Sequence, residues 1–249
     1  MKSFIKLSAV ALSMLFLGTL NANEHKVHWG YSGDIGPSNW GKLDKKFSMC
    51  SEGKMQSPID VVATKDENLA PLNLNYSSSS KDIVNNGHAV QVNIQDGSSF
   101  KIGNETYQLK QFHFHTPSEN HINGKSFPME AHFVHATKDG KLAVVALMFK
   151  EGKENAVIKK IIKSFPIGEG KNKELKLTKD DLNNLLPKNR DYYKFMGSLT
   201  TPPCSQNVKW FVFKTPVEVS KEQIESMHKE IGKNNNRPIQ PTNKREILK

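Results

Sequence analysis

The sequence is poor in the features that mark a nucleic-acid-binding protein. Only three of its 35 basic residues are arginine, and the 32 lysines are scattered along the chain. Arginine is the side chain that reads phosphates and base edges through paired hydrogen bonds, so this composition argues against a nucleic-acid partner. The formal net charge of +10 is better explained by a solvated basic surface.

Long apolar runs are absent after the first 22 residues. Within that segment, two lysines precede an apolar run at 7–17, which small and polar residues follow. The run is shorter than the ~20 residues that a membrane-spanning helix needs, and the pattern is typical of a secretory signal peptide. We therefore expect a signal peptide at 1–22, a mature chain at 23–249 with no transmembrane span, and export to the periplasm or beyond. A membrane anchor at 1–22 is the alternative.

Cysteine occurs only twice, at Cys50 and Cys204, and neither belongs to a C-x-x-C pair. An even cysteine count in an exported chain suggests a disulfide. The bridge would close a loop of about 150 residues, which corresponds to a few kcal/mol of stabilisation. Ligation of a metal ion by the two cysteines is the alternative, and the absence of a C-x-x-C spacing makes it the weaker one.

Alternation of apolar and polar residues, the signature of a half-buried strand, dominates the first two-thirds of the chain. It is clear at 106–115 and at 129–135. The continuous apolar run at 142–149 predicts a buried strand. The segment 209–219 predicts another strand, with Pro216 at a bulge or an end.

Helices are predicted to be few and short. Apolar residues recur at helical spacing in 154–165, and Thr178 opens a segment that stops before Pro187. Ser220 and Gly232 carry the start and stop signals of a third helix. The expected fold class is mainly β (α+β): a single domain on a large, twisted, mostly antiparallel sheet with short peripheral helices.

His113 and His115 lie two residues apart on one predicted strand. A strand turns successive side chains to opposite faces, so both rings project from one face, one pleat apart. They are then close enough to bind one metal ion. The same alternation places Tyr107, Leu109 and Gln111 on that face.

His132 lies on a second predicted strand, with Glu130 two residues before it on the same face. Three protein ligands and one open position are typical of a catalytic zinc site, whereas structural zinc usually has four protein ligands. A metal-bound histidine also needs a partner on its other ring nitrogen. Gln111, two residues before His113, and Glu130 are placed to supply one.

A single histidine on a strand is more often an ordinary polar residue than a ligand, and an isolated H-x-H pair is weak evidence. We leave the role of His121 open. Four other histidines are interpreted as ordinary polar residues: His25, His28, His135 and His228.

Eight short motifs occur in order along the chain: HWGY at 28–31, QSPID at 56–60, NNGHAVQV at 85–92, QFHFHTPSE at 111–119, MEAHFVH at 129–135, GSLTTPPC at 197–204, VKWFVF at 208–213 and NRPIQP at 236–241. In these motifs the chain resembles the alpha-class carbonic anhydrases, particularly exported bacterial ones, from about His28 to Arg237. Each motif is weak alone, but all eight in order are highly specific.

The resemblance implies the alpha-carbonic-anhydrase fold for 23–249 and reversible hydration of CO2 to bicarbonate and a proton. One zinc ion per chain would be held by His113, His115 and His132, although three neutral imidazoles also suit cobalt. Zinc-bound hydroxide would attack CO2, and a histidine would export the proton. The implied partners are CO2 and bicarbonate, with the chain a monomer or a homodimer.

Thr200 matches the family's gatekeeper threonine, which accepts the proton of the hydroxide and donates its own to Glu119. Thr201 matches a second threonine beside the substrate. His88 matches the proton shuttle, although without the resemblance it reads as a surface loop histidine. The other matches are Val134, Val144, Leu199, Val208 and Trp210 for an apolar CO2 pocket; Tyr31, Asn86 and Gln91 for the proton-path lining; Cys50 and Cys204 for a disulfide; and Arg237 for a structural arginine.

Three residues depart from the family pattern. Asn120 stands where many relatives have histidine, and Phe195 stands where many have tyrosine. We expect both to alter a buried hydrogen-bond network behind the zinc site, which concerns stability more than chemistry. Gln91 stands where others often have asparagine and is expected to change the water chain of the shuttle.

Two other functions remain open. HFHTPSE at 113–119 fits a cupin-like H-x-H-x3-E pattern of a metal dioxygenase, but no second cupin motif follows. A non-catalytic periplasmic zinc-binding protein would need neither Thr200, Glu119 nor an apolar pocket. Such proteins often carry histidine-rich tracts, and this sequence has none.

Overall fold

A large mixed sheet organises the chain in the computed structural model, which describes residues 27–165 and 167–249. The expected signal peptide at 1–22 lies outside the described residues. Twelve strands occur in the described part: β1 Asp60–Val61, β2 Ser80–Asn85, β3 Val90–Ile94, β4 Ser99–Ile102, β5 Glu105–His115, β6 His121–Ile122, β7 Met129–Ala136, β8 Leu142–Glu151, β9 Lys171–Lys173, β10 Tyr192–Ser198, β11 Gln206–Phe213 and β12 Val217–Val219.

Ten of these strands form one sheet in the order β10-β11-β8-β7-β5-β3-β2-β9, with β12 paired to β8 and β4 paired to β5. Only the pairs of β8 with β11 and with β12 are parallel in this sheet. Strands β1 and β6 form a separate parallel pair. The predicted fold class, with a large and mostly antiparallel sheet, is therefore confirmed.

The central strand β8 explains the continuous apolar run at 142–149. Its alternate residues Val145 and Leu147 are buried in the larger apolar core, while Val144 and Ala146 are buried in a second core. Because successive side chains point to opposite faces, the strand must be apolar throughout to have both faces covered. The functional side chains described below share the face of the second core.

The prediction of one strand over 209–219 is wrong in detail, because β11 and β12 are separated by residues 214–216. Both strands lie along the same edge of β8, one after the other. Pro216 has no backbone N–H to donate and a fixed φ, so it interrupts the ladder between them.

The prediction that Tyr107 and Leu109 share the face of His113 is also wrong. The register between β5 and β7 shifts between Leu109 and Gln111, so Lys110 is an extra residue without a cross-strand partner. Because of this β-bulge, the side chains that precede it in the strand lie on the opposite face from the one that regular alternation predicts. Tyr107 and Leu109 are consequently buried in the larger core.

The helices of the described residues are short: α1 Trp40–Leu43, α2 Met49–Glu52, α3 Ala156–Ile162, α4 Lys179–Leu185 and α5 Lys221–Ile231, with 3-10 turns at Gly33–Ile35 and Lys45–Phe47. Thr178 and Ser220 form the capping boxes of α4 and α5, and Gly232 ends α5 with φ 78°. Helix α3 is shorter than predicted because the Asn155 side chain caps it. No helix in the described ranges has the length and hydropathy that crossing a bilayer demands.

A disulfide joins Cys50 to Cys204, so the two cysteines are not available as metal ligands. Both are buried beside Trp40. The buried guanidinium of Arg237 donates from Nη2 to the Cys50 carbonyl at 2.8 Å. The bridge therefore fastens the N-terminal helices to the segment that follows β10.

We expect a Cys50→Ala/Cys204→Ala variant to unfold about 10 °C below the wild type, because the bridge closes a loop whose ends are 154 residues apart. Loss of such a link costs up to about 5 kcal/mol, and each kcal/mol lowers the melting temperature of a chain this long by about 2–4 °C. Differential scanning calorimetry measures this. Reductant should lower the melting temperature of the wild type by the same amount and leave that of the variant unchanged. A variant within about 2 °C of the oxidised wild type would contradict the expectation.

Candidate metal centre

Three histidine side chains meet on the second-core face of the sheet. His113 on β5 lies directly opposite His132 on β7 in the antiparallel register, and His115 lies one pleat further along β5. One ring nitrogen of each lies within 4.8 Å of the corresponding nitrogen of the other two. Sequence alternation and strand register together therefore produce a tripod of imidazoles.

The second nitrogen of each ring is held by an oxygen atom. His113 Nδ1 lies 2.9 Å from Gln111 Oε1, and His132 Nε2 lies 2.8 Å from Glu130 Oε1. His115 Nδ1 lies 2.7 Å from the backbone carbonyl of Asn235. Because each of these oxygens can accept, each nitrogen donates, and the tautomer leaves a lone pair on the nitrogen that faces the centre of the tripod.

This donor set fits a zinc ion. Burial lowers the pKa of His113 and His132 well below the usual histidine range and also lowers the pKa of His115. The rings are therefore neutral, which is the form that binds metal. The Nε2 atom of His115 is buried without a hydrogen-bond partner among the described residues, as expected of a ligand atom.

Glu130 lies at the centre of a buried hydrogen-bond network behind the tripod. Its Oε2 accepts from the backbone amides of Glu119 at 2.7 Å and Asn120 at 2.8 Å. Its Oε1 accepts from the Asn120 side chain at 2.8 Å as well as from His132. Asn120 also accepts from the Ile59 amide at 3.1 Å, so this departure from the family pattern is fully integrated into the network.

Glu119 is a buried carboxylate next to the open side of the tripod. Its Oε1 accepts from the Arg237 backbone amide at 2.8 Å, and its Oε2 lies 3.4 Å from His115 Nε2. Burial raises the pKa of Glu119 well above its usual range, while the Arg237 amide and the nearby Thr200 hydroxyl lower it. Oε2 makes no hydrogen bond within the described ranges, so it remains able to accept one.

A cavity of about 160 Å³ opens beside His113 and His115. Its other lining residues are Trp29, Tyr31, Asn86, His88, Ala89, Gln91, Gln111 and Thr201. The His88 ring stacks on Trp29, with centroids 3.7 Å apart and planes at 5°. Tyr31, Asn86, His88, Gln91 and Thr201, all selected from the sequence, thus line one space. Trp29 was not selected, although the adjacent aromatic residues at 28–31 were a signal.

An apolar surface lies on another side of the tripod. Val144, Val208 and Trp210 are buried there, and Val134 and Leu199 pack against them half-buried. The Trp210 ring meets His132 edge-on at 4.9 Å between centroids. Phe195 stacks on Trp210 at 6.0 Å, so the second departure replaces a hydroxyl by an apolar contact.

Asn235 is a functional residue that sequence reasoning missed. Besides its carbonyl contact with His115, its side chain donates to the carbonyls of His88 at 3.0 Å and Phe114 at 2.9 Å. It also accepts from the Thr116 amide at 2.9 Å. It lies in an extended segment after α5, in a run of three asparagines, and no periodicity or motif distinguishes it there.

A family model, curated relatives and solved structures each match most of the chain. The family model described as eukaryotic-type carbonic anhydrase matches residues 35–249. The chain is 43% identical to a carbonic anhydrase of Pectobacterium atrosepticum over 240 residues, which is 96% of this chain and 98% of the relative. It is 42% identical to a carbonic anhydrase of Neisseria gonorrhoeae, covering 98% of this chain and 96% of the relative. A solved structure of alpha-carbonic anhydrase from Thermovibrio ammonificans with the inhibitor sulfanilamide matches with a TM-score of 0.86 and 47% identity, over 90% of this chain and 99% of that one.

Proposed function

The chain belongs to the eukaryotic-type carbonic anhydrase family, and on this premise we propose that it hydrates CO2 reversibly at a zinc ion held by His113, His115 and His132. The observation that carries the proposal is the tripod itself. Three neutral imidazoles converge, and in each ring the nitrogen that faces away from the centre is hydrogen-bonded to an oxygen. No fourth protein ligand joins them among the described residues. This is the ligand count of a catalytic rather than a structural zinc site.

Zinc bound there supplies Lewis-acid chemistry, which in carbonic anhydrases lowers the pKa of water to about 7, a value known for the family rather than read from this site. The protein's own contribution is to hold the three ligands in place. Gln111, Glu130 and the Asn235 carbonyl fix the tautomer and the ring orientation of the histidines.

Thr200 and Glu119 orient the attacking oxygen. Glu119 Oε2 is buried and accepts no hydrogen bond from the part of the chain that the structure describes, and the Thr200 hydroxyl lies near this carboxylate. Burial alone favours the protonated form of Glu119, whereas the positive charge of a zinc ion held by the tripod would favour the ionised form. An ionised carboxylate can only accept, so the threonine must then donate to it. The hydroxyl oxygen is then an acceptor toward the attacking oxygen, whose remaining lone pair is directed at the carbon of CO2.

The apolar surface is suited to CO2, which has no net dipole and gains little from polar contacts. Val134 and Leu199 present half-buried side chains, and Val144 and Trp210 lie behind them. Water bound against such a surface is displaced at little cost. Thr201 lies on the cavity side, where the bicarbonate product can accept hydrogen bonds.

Turnover also requires that one proton leaves for each CO2 hydrated. His88 lines the same cavity as the ligands and is half-buried at its rim. An imidazole can take a proton from cavity water and release it to a base in solution. Tyr31, Asn86 and Gln91 line the intervening space and would order the water there.

The cupin interpretation is wrong, because the matching family is a different one and covers most of the chain. A non-catalytic zinc-binding protein remains the second candidate. The paired Thr200 and Glu119 and the apolar surface favour catalysis, since storage of a metal ion needs neither. The disulfide Cys50–Cys204 supports export to an oxidising compartment, which we propose to be the periplasm.

The test is CO2 hydration by the mature protein, 23–249, followed by stopped-flow mixing with a pH indicator. We expect hydration far above the buffer rate, its loss after zinc is removed with a chelator, and its return when zinc is added. Zinc bound at one per chain with no hydration above buffer would overturn the catalytic proposal in favour of zinc binding. Attention would then turn to Asn120 and Phe195.

A further inference from the structure

Two turns lie side by side at the rim of the cavity. The segment at 85–88 follows β2 and ends at His88, and the segment at 167–170 leads into β9. A parallel bridge joins Asn85 to Glu169, and the Gly170 amide donates to the Asn85 carbonyl at 2.8 Å. The two turns are therefore fixed relative to each other by backbone contacts.

Glu230, near the C-terminal end of α5, fastens both turns further. Glu230 Oε1 accepts from the Ile167 amide at 2.9 Å and the Gly168 amide at 3.3 Å. The Asn85 side chain donates to the Glu230 carbonyl at 2.8 Å. Side chains on one turn consequently have defined positions relative to the other.

The Glu169 carboxylate lies against the residue before His88. A Cβ built on Gly87, whose φ is 83°, would come 2.7 Å from Glu169 Oε1. Glycine tolerates this φ at no steric cost, and the absence of a side chain leaves the carboxylate free to lie against the backbone of the turn. The carboxylate is exposed and makes no hydrogen bond or salt bridge with the described residues. Its negative charge is therefore not neutralised by a cation among them.

The charged and titratable groups that act on His88 come from three elements. Lys233 follows α5, His28 precedes the stacked Trp29, and Glu169 lies on the neighbouring turn. Burial, Lys233 and His28 lower the pKa of His88, whereas Glu169 raises it. Tyr31 meets the ring edge-on, and His88 Nδ1 is buried without a partner among the described residues.

We propose that Glu169 is a positioning residue for proton release, whose carboxylate is the counter-charge that stabilises protonated His88 against the neighbouring Lys233. The inference rests on the proposed function, in which His88 takes a proton from cavity water and passes it to a base in solution. Glu169 itself neither gains nor loses a proton in the cycle. Without it, His88 is a weaker base and accepts the proton less readily.

Two substitutions of opposite sign test this. Glu169→Gln removes the anion and should lower the pKa of His88 by up to about half a unit, the size expected of one solvent-exposed charge on a neighbouring turn. Lys233→Gln removes the cation and should raise the pKa of His88 by a similar amount. NMR titration of the His88 ring measures both shifts, and salt should reduce them. Glu174→Gln is the matched control, because Glu174 is exposed and its one ion pair among the described residues is with Lys176.

The kinetic readout is the maximal rate of CO2 hydration in weakly buffered solution. Glu169→Gln should reduce kcat by up to about threefold, the proton-affinity change that half a pKa unit represents. It should leave kcat/KM for CO2 unchanged, and Glu169→Asp should restore part of kcat. A strong added buffer should also restore it, because the buffer replaces His88 as proton carrier.

The outcomes separate this proposal from the proposed function. A His88 titration that Glu169→Gln leaves unmoved overturns the role of Glu169, whether or not the protein hydrates CO2. A shifted titration with an unchanged kcat in weak buffer also overturns it, because proton release then does not depend on His88. Absence of CO2 hydration in the wild type, with the NMR shifts intact, instead refutes the proposed function on which the kinetic role depends.

Discussion

Replacing His115 by alanine is expected to remove stable zinc binding and with it CO2 hydration. Loss of a residue that only orients a ligand typically costs about 10–100-fold in metal affinity, and loss of a ligand itself should cost more. His115 is 1% exposed, and its Nε2 makes no hydrogen bond with the described residues. A water molecule is a poor substitute for this buried nitrogen ligand. The change also leaves the Asn235 carbonyl without the hydrogen-bond donor that His115 supplies. Zinc per chain after dialysis and stopped-flow hydration measure the two losses.

A second variant separates loss of the ligand from loss of the fold. His115→Gln retains a donor that can reach the Asn235 carbonyl, and its side chain fills most of the space. Its melting temperature should therefore be close to that of the wild type, although the variant still lacks zinc. His121→Ala is the matched control, because His121 lies on β6, outside the tripod, and should keep one zinc per chain. If His115→Ala keeps zinc with an affinity within tenfold of the wild type, the tripod is not the metal site.

Much of the tripod could be predicted because it depends on a short range of sequence. His113 and His115 need only two residues of regular strand to share a face, and His132 and Glu130 need the same on β7. The alternation is intact over both stretches, since the bulge falls earlier in β5. The register that sets His113 opposite His132 is not visible in the sequence. Grouping His132 with the other two histidines was therefore a hypothesis from strand phase and ligand count, which the family resemblance then supported.

The bulge at Lys110 shows where periodicity fails. The apolar residues of β5 change phase across Lys110, from Tyr107 and Leu109 to Phe112 and Phe114, but the prediction followed a single phase through the whole stretch. Tyr107 and Leu109 belong to the larger core for this reason. The bulge lets one strand contribute to the core at its start and to the metal centre at its end.

Long-range partners were the other limit. The Asn235 carbonyl is a backbone atom 120 residues from His115, so no property of its side chain announces the contact. The parallel pairing of β8 with β11 likewise brings together residues more than 60 positions apart. Sequence periodicity reports which face a residue occupies, whereas these contacts depend on how distant segments are arranged.

Replacing Thr200 by alanine or Glu119 by glutamine is expected to reduce kcat/KM about 100-fold each, with zinc content unchanged. Removal of one oriented hydrogen-bonding group at the reacting atoms typically has an effect of this size. The glutamine variant is informative because its amide oxygen can still accept from the Arg237 amide, as Glu119 Oε1 does. Its NH2 group would then face Thr200 as a donor. The threonine would accept from it and point its own proton toward the attacking oxygen, which is the wrong polarity for the reaction.

The double variant tests whether the two residues act as one unit. Suppose that Thr200 orients the attacking oxygen only because Glu119 accepts a hydrogen bond from it. The kcat/KM of Thr200→Ala/Glu119→Gln should then be little lower than that of either single variant, because each single change already abolishes the relay. Losses that multiply to about 10,000-fold would mean that the residues act independently, and the orienting relay would be abandoned. Thr200→Ser keeps the hydroxyl and should stay within about tenfold of the wild type. Its response to Glu119→Gln should match that of the wild type, since the hydroxyl is the only atom of residue 200 that the relay requires.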